Sequence, residues 1–369
     1  MIKISAPGKL FLSGEWAILE LGNPGIVAAV NKRVYVEIEE NNELSIKLDD
    51  FNIEINAEFK NNQLIWKRKP SDYETNILKF VKSAIETTLN YLNKYNPFKL
   101  RTYSEISVIN INGKKEKMGF GSSAASVVAT VSGILALNGF DIRKKEVKDI
   151  IYKLSTIAHY FVQEKVGSGF DIAASTYGGI FVYKRFDPNW LIKELKKLSL
   201  KDIIKKDWPG LFIENLEILE NLNLLVGWTK KSALTSNMIK QMNLFKEKNP
   251  KEYHRIYKKI ADLVNELILA WKHKNEKEIL KLIRKNEELL RELTNKSGVN
   301  IETKELRKLS EIANNLGAAG KLSGAGGGDC GIAICFDKNI AEKVKSAWKT
   351  AGFYLIDTDI DFNGVKLEK

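Results

Sequence analysis

The chain has 369 residues, 44% hydrophobic and 28% charged, which is enough apolar material for one large core or two and, by ordinary domain size, favours two domains. No stretch of eighteen apolar residues occurs, so a transmembrane helix is excluded, and the opening MIKISAPGKLFL lacks the parts of an export signal, so a cytoplasmic protein is expected. A net charge of +12 suits anionic partners such as nucleotides, phosphorylated metabolites or nucleic acid without choosing among them.

The first 60 residues read as strands: IKISA, GIVAAV, RVYVEIEE, ELSIKL and NIEIN alternate or run apolar, with Gly, Pro and Asn between them. Ser5-Ala6-Pro7-Gly8-Lys9 puts a lysine on a turn directly after the first strand, followed by Gly14-Glu15-Trp16. That lysine either faces solvent or meets an anion. Ser71 and Glu74 form a capping box ahead of NILKFVKSAIETTLNYLNKY, whose apolar residues recur at helical spacing. The strand ISVININ then passes through a basic hairpin turn, GKKEK, into MGFGSSAASVVATVSGILALNGF, where small residues open a helix that Gly139 closes.

Residues 141–165 read as helical, GSGFDIAASTYGG begins a short helix, and IFVYKRF returns as a strand. A boundary near Asp187 and Pro188 divides the expected domains 1–187 and 188–369. Beyond it come a lysine-rich segment to about 215, the strand NLNLLVGWT, charged amphipathic helices over 232–316, the strand CGIAICF, a helix from 338 and the strand FYLIDTDI. Strands and helices interleave in both halves, so the class is α+β. Cys330 and Cys335, with the scattered His159, His254 and His273, match neither a disulfide framework nor a zinc pattern, and the cysteines read as core thiols.

Four segments could carry chemistry. Gly119-Phe120-Gly121-Ser122-Ser123-Ala124 lies between a strand and a helix, so its amides could cradle a phosphate and Ser123 could reach a bound Mg²⁺; a tight turn with serine caps is the other reading. Lys321-Leu322-Ser323-Gly324-Ala325-Gly326-Gly327-Gly328-Asp329 has more glycine than a simple turn needs and lets backbone approach a ligand. In Gly167-Ser168-Gly169-Phe170-Asp171 the carboxylate enters a helix as a cap or a catalytic acid. The SAPGK lysine is the fourth. Neither glycine segment matches GxxxxGK[ST], which excludes a P-loop. Gly119 to Ala124 fits GxGxxA, but Asp141 begins a helix instead of ending a strand, so a nicotinamide dehydrogenase is demoted.

Taken in order, SAPGK, GFGSSAAS and SGAGGGDCG resemble the three motifs of the GHMP kinases, the galactokinase, homoserine kinase, mevalonate kinase and phosphomevalonate kinase superfamily. Within it HYFVQEKVGSGFDIAAS (159–175), GWTKKSALTSNMI (227–239) and GAGGGDC look most like the members whose acceptor is 5-phosphomevalonate. The resemblance implies an N-terminal domain related to ribosomal S5 domain 2 and a ferredoxin-like C-terminal domain, with ATP and substrate in the cleft between them. It implies transfer of the γ-phosphoryl of Mg·ATP to 5-phosphomevalonate, giving 5-diphosphomevalonate for isoprenoid synthesis by the mevalonate pathway. By the same resemblance Gly119, Gly121, Ser122, Ser123 and Ala124 would hold the ATP phosphates, with Ser123 near Mg²⁺, and Gly324, Ala325, Gly326, Gly327 and Gly328 would close over the nucleotide. Lys9 and Asp171 would stand at the reacting centre, and Ser168, Ser232, Thr235 and Ser236 would shape the substrate side. Gly14-Glu15-Trp16 departs toward the Gly-Glu-His of mevalonate kinases, which makes mevalonate kinase the alternative, and Lys230-Lys231 stands where others carry a small residue and an acid or proline, which leaves the individual substrate contacts open.

An acceptor phosphate with a second pKa of about 6 is already mostly anionic at neutral pH, so a base is hardly needed and charge neutralisation is. Asp171 is therefore expected to orient Lys9 or the metal. Nucleic acid is not expected as a partner, because no basic run carries interleaved aromatic residues, and neither is a membrane.

Overall fold

In the computed structural model, which describes residues 1–105, 109–111, 114–116, 119–163, 167–231 and 235–368, the longest strands come first. Strand β1 (Ile2–Ser13) and β2 (Gly25–Glu40) pair antiparallel along almost their whole length, with register shifts after Pro7 and after Phe11. These two strands correct the sequence reading. GIVAAV and RVYVEIEE are one strand, and SAPGK lies inside β1, not on a turn after it. Proline is tolerated there because an irregularity in the ladder removes the need for its missing donor.

Strands β3 (Leu44–Leu48), β4 (Ile53–Lys60) and β5 (Gln63–Trp66) extend this sheet, followed by helix α1 (Asp72–Leu92), whose Ser71/Glu74 capping box is formed as expected. Strand β6 (Phe98–Ser104), a segment the sequence reading left unassigned, inserts between β2 and β3, parallel to β3. Of the expected strand ISVININ and basic turn GKKEK, residues 106–108, 112, 113 and 117 lie outside the described residues; β7 (Ile109–Ile111) pairs antiparallel with β8 (Lys114–Glu116), so the run KKE is strand and not turn. Helix α2 (Ser122–Leu137) is apolar on nearly every side and lies against β1 and β2, as a helix hydrophobic all round must. Its Gly133 permits the approach: a Cβ there would come within 3.3 Å of Val36. Helices α3 (Lys145–Val162) and α4 (Phe170–Tyr177) complete this layer, and β9 (Ile180–Lys184) returns to the sheet beside β2.

After α5 (Pro188–Leu195) and α6 (Leu200–Lys205), β10 (Phe212–Leu216) pairs with β9, where the sequence suggested only a lysine-rich segment. Strand β11 (Asn223–Trp228) starts a second sheet, followed by α7 (Thr235–Lys248), α8 (Pro250–Lys272), α9 (Glu276–Ser297) and α10 (Lys304–Asn315). Strands β12 (Ala319–Leu322) and β13 (Cys330–Cys335), helix α11 (Lys338–Thr350) and β14 (Tyr354–Ile356) then give the sheet order β12-β13-β11-β14. Every neighbouring pair is antiparallel and helices intervene after the first and third strands, which is the ferredoxin-like arrangement.

The chain then crosses back. Strand β15 (Lys366–Leu367) pairs with β1, and the guanidinium of Arg33 is buried against Asp361 and the Gly364 carbonyl. Residues on both sides of Asp187 therefore share the first sheet. Cys330 and Cys335 are buried free thiols, as expected. Among the described residues no helix is long and apolar enough to cross a membrane.

Candidate active site

A cleft of about 660 Å³ opens between the two halves, and its walls include Lys9, Gly119, Gly121, Ser122, Ser123, Ser168, Asp171, Gly324 and Ala325. Residues up to 320 positions apart in the chain thus meet in one cavity because β1, the start of α2, the start of α4 and the loop after β12 all end on it.

Helix α2 begins without a side-chain cap: its N-cap is Gly121, in left-handed backbone at φ 77°, so its first turn points at the cleft. The serine-cap reading of this segment is therefore wrong. Ser123 Oγ instead shares a hydrogen bond of 3.1 Å with Nε2 of His159, a buried imidazole whose pKa is pushed down by burial. Lys9 projects from β1 across the same turn. Its Nζ donates to the Gly119 carbonyl at 2.9 Å, and its backbone N–H to the Phe120 carbonyl at 2.9 Å. One bond to a carbonyl leaves two of the three ammonium protons for a ligand.

Asp171 is not the cap of α4 either. Gly169 holds that place, and Asp171 sits in the first turn with Oδ1 accepting from the Ile172 amide at 3.0 Å. It faces the cleft that Lys9 faces, yet the Lys9 ammonium is bonded to Gly119 and not to this carboxylate.

The loop after β12 is held at both ends. Ser323 Oγ accepts from the Phe11 amide at 2.9 Å, the Trp16 indole donates to the Ala325 carbonyl at 3.2 Å, and the Gly327 amide donates to the Ile301 carbonyl at 2.8 Å. Gly324 and Ala325 reach the cleft, whereas Gly326, Gly327 and Gly328 turn toward Ile301, Met238 and Lys231. Asp329 brings this loop to the first one: a Cβ at Gly119 would lie 2.7 Å from its carboxylate. Ala124 is buried behind the α2 turn. Ser232 lies outside the described residues, and Thr235 and Ser236 are the first two residues of α7.

Sequence reasoning missed Lys79 on α1 and Lys240 on α7, both exposed on the wall of the cleft. Each is one lysine among many on an amphipathic helix, so no local signal marked it. It also missed a buried charge cluster beneath the loop, where Lys321 pairs with Glu15 and where Glu287 accepts from the Leu322 amide at 3.0 Å and from Ser310 Oγ at 2.9 Å.

Burial pushes the Glu287 carboxyl up to about 7 against the pull of Lys321. An acid raised in the folded state lends stability that is complete below its ordinary pKa of about 4.3 and is lost as pH rises through the folded value. Glu287→Gln should therefore gain on the wild type as pH rises from 5 to 7.5. Melting temperatures measured in parallel across that range check this, and a constant difference between the two proteins would refute it.

Comparison with known proteins places this geometry among relatives. The family model described as GHMP kinases N terminal domain matches residues 79–179, and that described as GHMP kinases C terminal matches residues 247–354. The phosphomevalonate kinase of Streptomyces sp. (strain CL190) is 30% identical over 361 residues, covering 94% of each chain. The mevalonate kinase of Pyrococcus abyssi is 27% identical, covering 100% of this chain and 98% of that one. Among solved structures, Streptococcus pneumoniae phosphomevalonate kinase in complex with phosphomevalonate and AMPPNP superposes with a TM-score of 0.82 at 27% identity, covering 98% of this chain and 100% of that one.

Proposed function

We propose that this chain, which belongs to the GHMP kinases and is an ATP-dependent kinase, transfers the γ-phosphoryl group of ATP to the phosphate of 5-phosphomevalonate, giving 5-diphosphomevalonate. The observation that carries the reading is the meeting of the Lys9 ammonium, the uncapped α2 N-terminus and the loop at Gly324 and Ala325 on one cleft, in a chain similar end to end to a phosphomevalonate kinase. We take 1–187 and 188–369 as the two domains, the second lending β10 and β15 to the sheet of the first. Two free thiols suit a cytoplasmic setting.

The chemistry divides among residues already described. Amides of the first turn of α2, at Gly121, Ser122 and Ser123, would hold the ATP phosphates at the positive end of the helix dipole. Lys9 would bridge donor and acceptor phosphates with its two remaining protons, offsetting the repulsion of two polyanions, which is the main demand in phosphoryl transfer. Gly324 and Ala325 would cover the nucleotide, while Ser168 and the start of α7 would bound the acceptor side.

The donor set suits Mg²⁺. Ser123 and Asp171 offer a hydroxyl and a carboxylate, and among the described residues no cluster of three His, Cys, Asp or Glu side chains competes as a dedicated cage. Such sparse ligation fits an ion that keeps several waters and binds chiefly through substrate phosphates. Ser123 and Asp171 would hold it, and bound there it would supply neutralising charge to the nucleotide phosphates. Ser123→Ala should then raise the Mg²⁺ concentration needed for half-maximal rate by about tenfold or more, with the melting temperature little changed. A titration of rate against Mg²⁺ tests this, and an unaltered curve would leave Ser123 only its bond to His159.

Mevalonate, 5-phosphomevalonate, galactose and homoserine offered separately with Mg·ATP decide the acceptor. ADP formation should depend on 5-phosphomevalonate. Faster turnover of mevalonate would favour the second reading, mevalonate kinase, which Gly14-Glu15-Trp16 and the similarity to the Pyrococcus abyssi enzyme support.

A further inference from the structure

We propose that Glu15 and Lys321 are positioning residues: a buried ion pair that clamps the entrance of the loop 323–328 to the N-terminal half of the chain and sets its backbone for the nucleotide. This rests on the reading of that loop as a nucleotide cover.

Three observations carry it. The first is where the charges sit. The Lys321 side chain has 0% exposure and that of Glu15 1%. Besides pairing with Glu15, Lys321 Nζ donates to the Leu322 carbonyl at 2.6 Å. The pair therefore grips the backbone directly ahead of Ser323. Glu287 accepts from the Leu322 amide on the far side, so the entrance of the loop is fixed by charge from two directions.

The second observation is the backbone that presents Glu15. Gly14 and Trp16 flank it at φ 99° and 65°. A tryptophan takes a positive φ only where its surroundings enforce it. No side chain fits at position 14, since a Cβ there would lie 2.6 Å from the Pro24 carbonyl. The strained turn aims Glu15 inward and the Trp16 indole at Ala325.

The third is the number of ties that span the two halves here. Phe11 bonds Ser323, Glu15 bonds Lys321, and Trp16 bonds Ala325. A packed apolar pair would give the same site at least equal stability, because a buried ion pair rarely gains more than its desolvation costs. What an apolar pair cannot do is hold the Leu322 carbonyl, at the entrance of the glycine loop, in one orientation.

The test separates stability from positioning. Glu15→Gln should lower the melting temperature, weaken AMPPNP binding measured by calorimetry by about tenfold, and speed amide hydrogen exchange in peptides spanning 322–329. The double variant Glu15→Leu/Lys321→Met removes the uncompensated charge and should regain thermal stability, yet still bind AMPPNP weakly and exchange fast in the loop. A double variant with restored stability, wild-type affinity and wild-type loop protection would overturn the clamp. If neither variant folds, Glu15→Asp decides, since it keeps the charge and shortens its reach by one methylene: weaker AMPPNP binding with faster exchange at 322–329 supports the clamp, and wild-type values of both overturn it. A wild type that binds AMPPNP but ignores 5-phosphomevalonate counts against the acceptor, and the affinity and exchange results then still judge the clamp.

Discussion

Lys9→Met should lower kcat by a factor on the order of 100 or more, the scale seen when one preorganised electrostatic donor is lost, with KM for ATP changed far less. Methionine matches the length and much of the packing of lysine, so the stem can still fill the space beside Gly121, where a Cβ would meet Lys9 carbons at 3.2 Å. What disappears is an ammonium already anchored to Gly119 and requiring no reorganisation when charge builds between donor and acceptor. Asp171→Asn is the control. If Asp171 only orients, the rate of this variant still rises as the acceptor phosphate loses its second proton near pH 6. If Asp171 is a general base, the acid limb of the pH profile that reports its carboxylate vanishes. Near-normal turnover in Lys9→Met, with that limb lost in Asp171→Asn, would overturn the electrostatic account. The mechanism would then be that of a kinase acting on an alcohol.

Gly326→Ala should be the most damaging single change in the glycine loop, weakening AMPPNP binding by about tenfold or more and lowering the melting temperature. A Cβ at this position would lie 2.1 Å from the Ile301 carbonyl, the group that accepts the Gly327 amide, and φ there is 76°. The backbone must move to admit a methyl group, and the anchor of the loop on Ile301 moves with it. Gly324→Ala provides the contrast. It has φ 89° but nothing within 4 Å of the added methyl, so only the strain of a left-handed alanine is added, roughly 1–2 kcal/mol. Calorimetry and thermal melts of the two variants should rank Gly326 well above Gly324. Equal losses would mean that backbone freedom alone, and not the close approach to Ile301, explains the glycines.

Local order in this protein was legible from its sequence. The Ser71/Glu74 capping box, the helical spacing after it and the long amphipathic helices α8 to α10 depend on residues three or four positions apart, and neighbours at that distance meet whatever the rest of the chain does. The three glycine-bearing motifs were legible for a similar reason, since a close approach of backbone or a positive φ, as at Gly121 and Gly326, restricts the residue type on the spot. The tertiary structure alone decided the rest. Lys9 became part of a strand because β2 supplies partners on both sides of the irregularity at Pro7. Ser123 turned from capping its own helix to His159, a residue on another helix. Lys321 found Glu15 306 positions away, and Arg33 found Asp361 at a separation of 328. Pairings of this range are set by how helices and sheets pack, and the free energy that selects them belongs to the buried interface as a whole, so no window of neighbouring residues carries their trace.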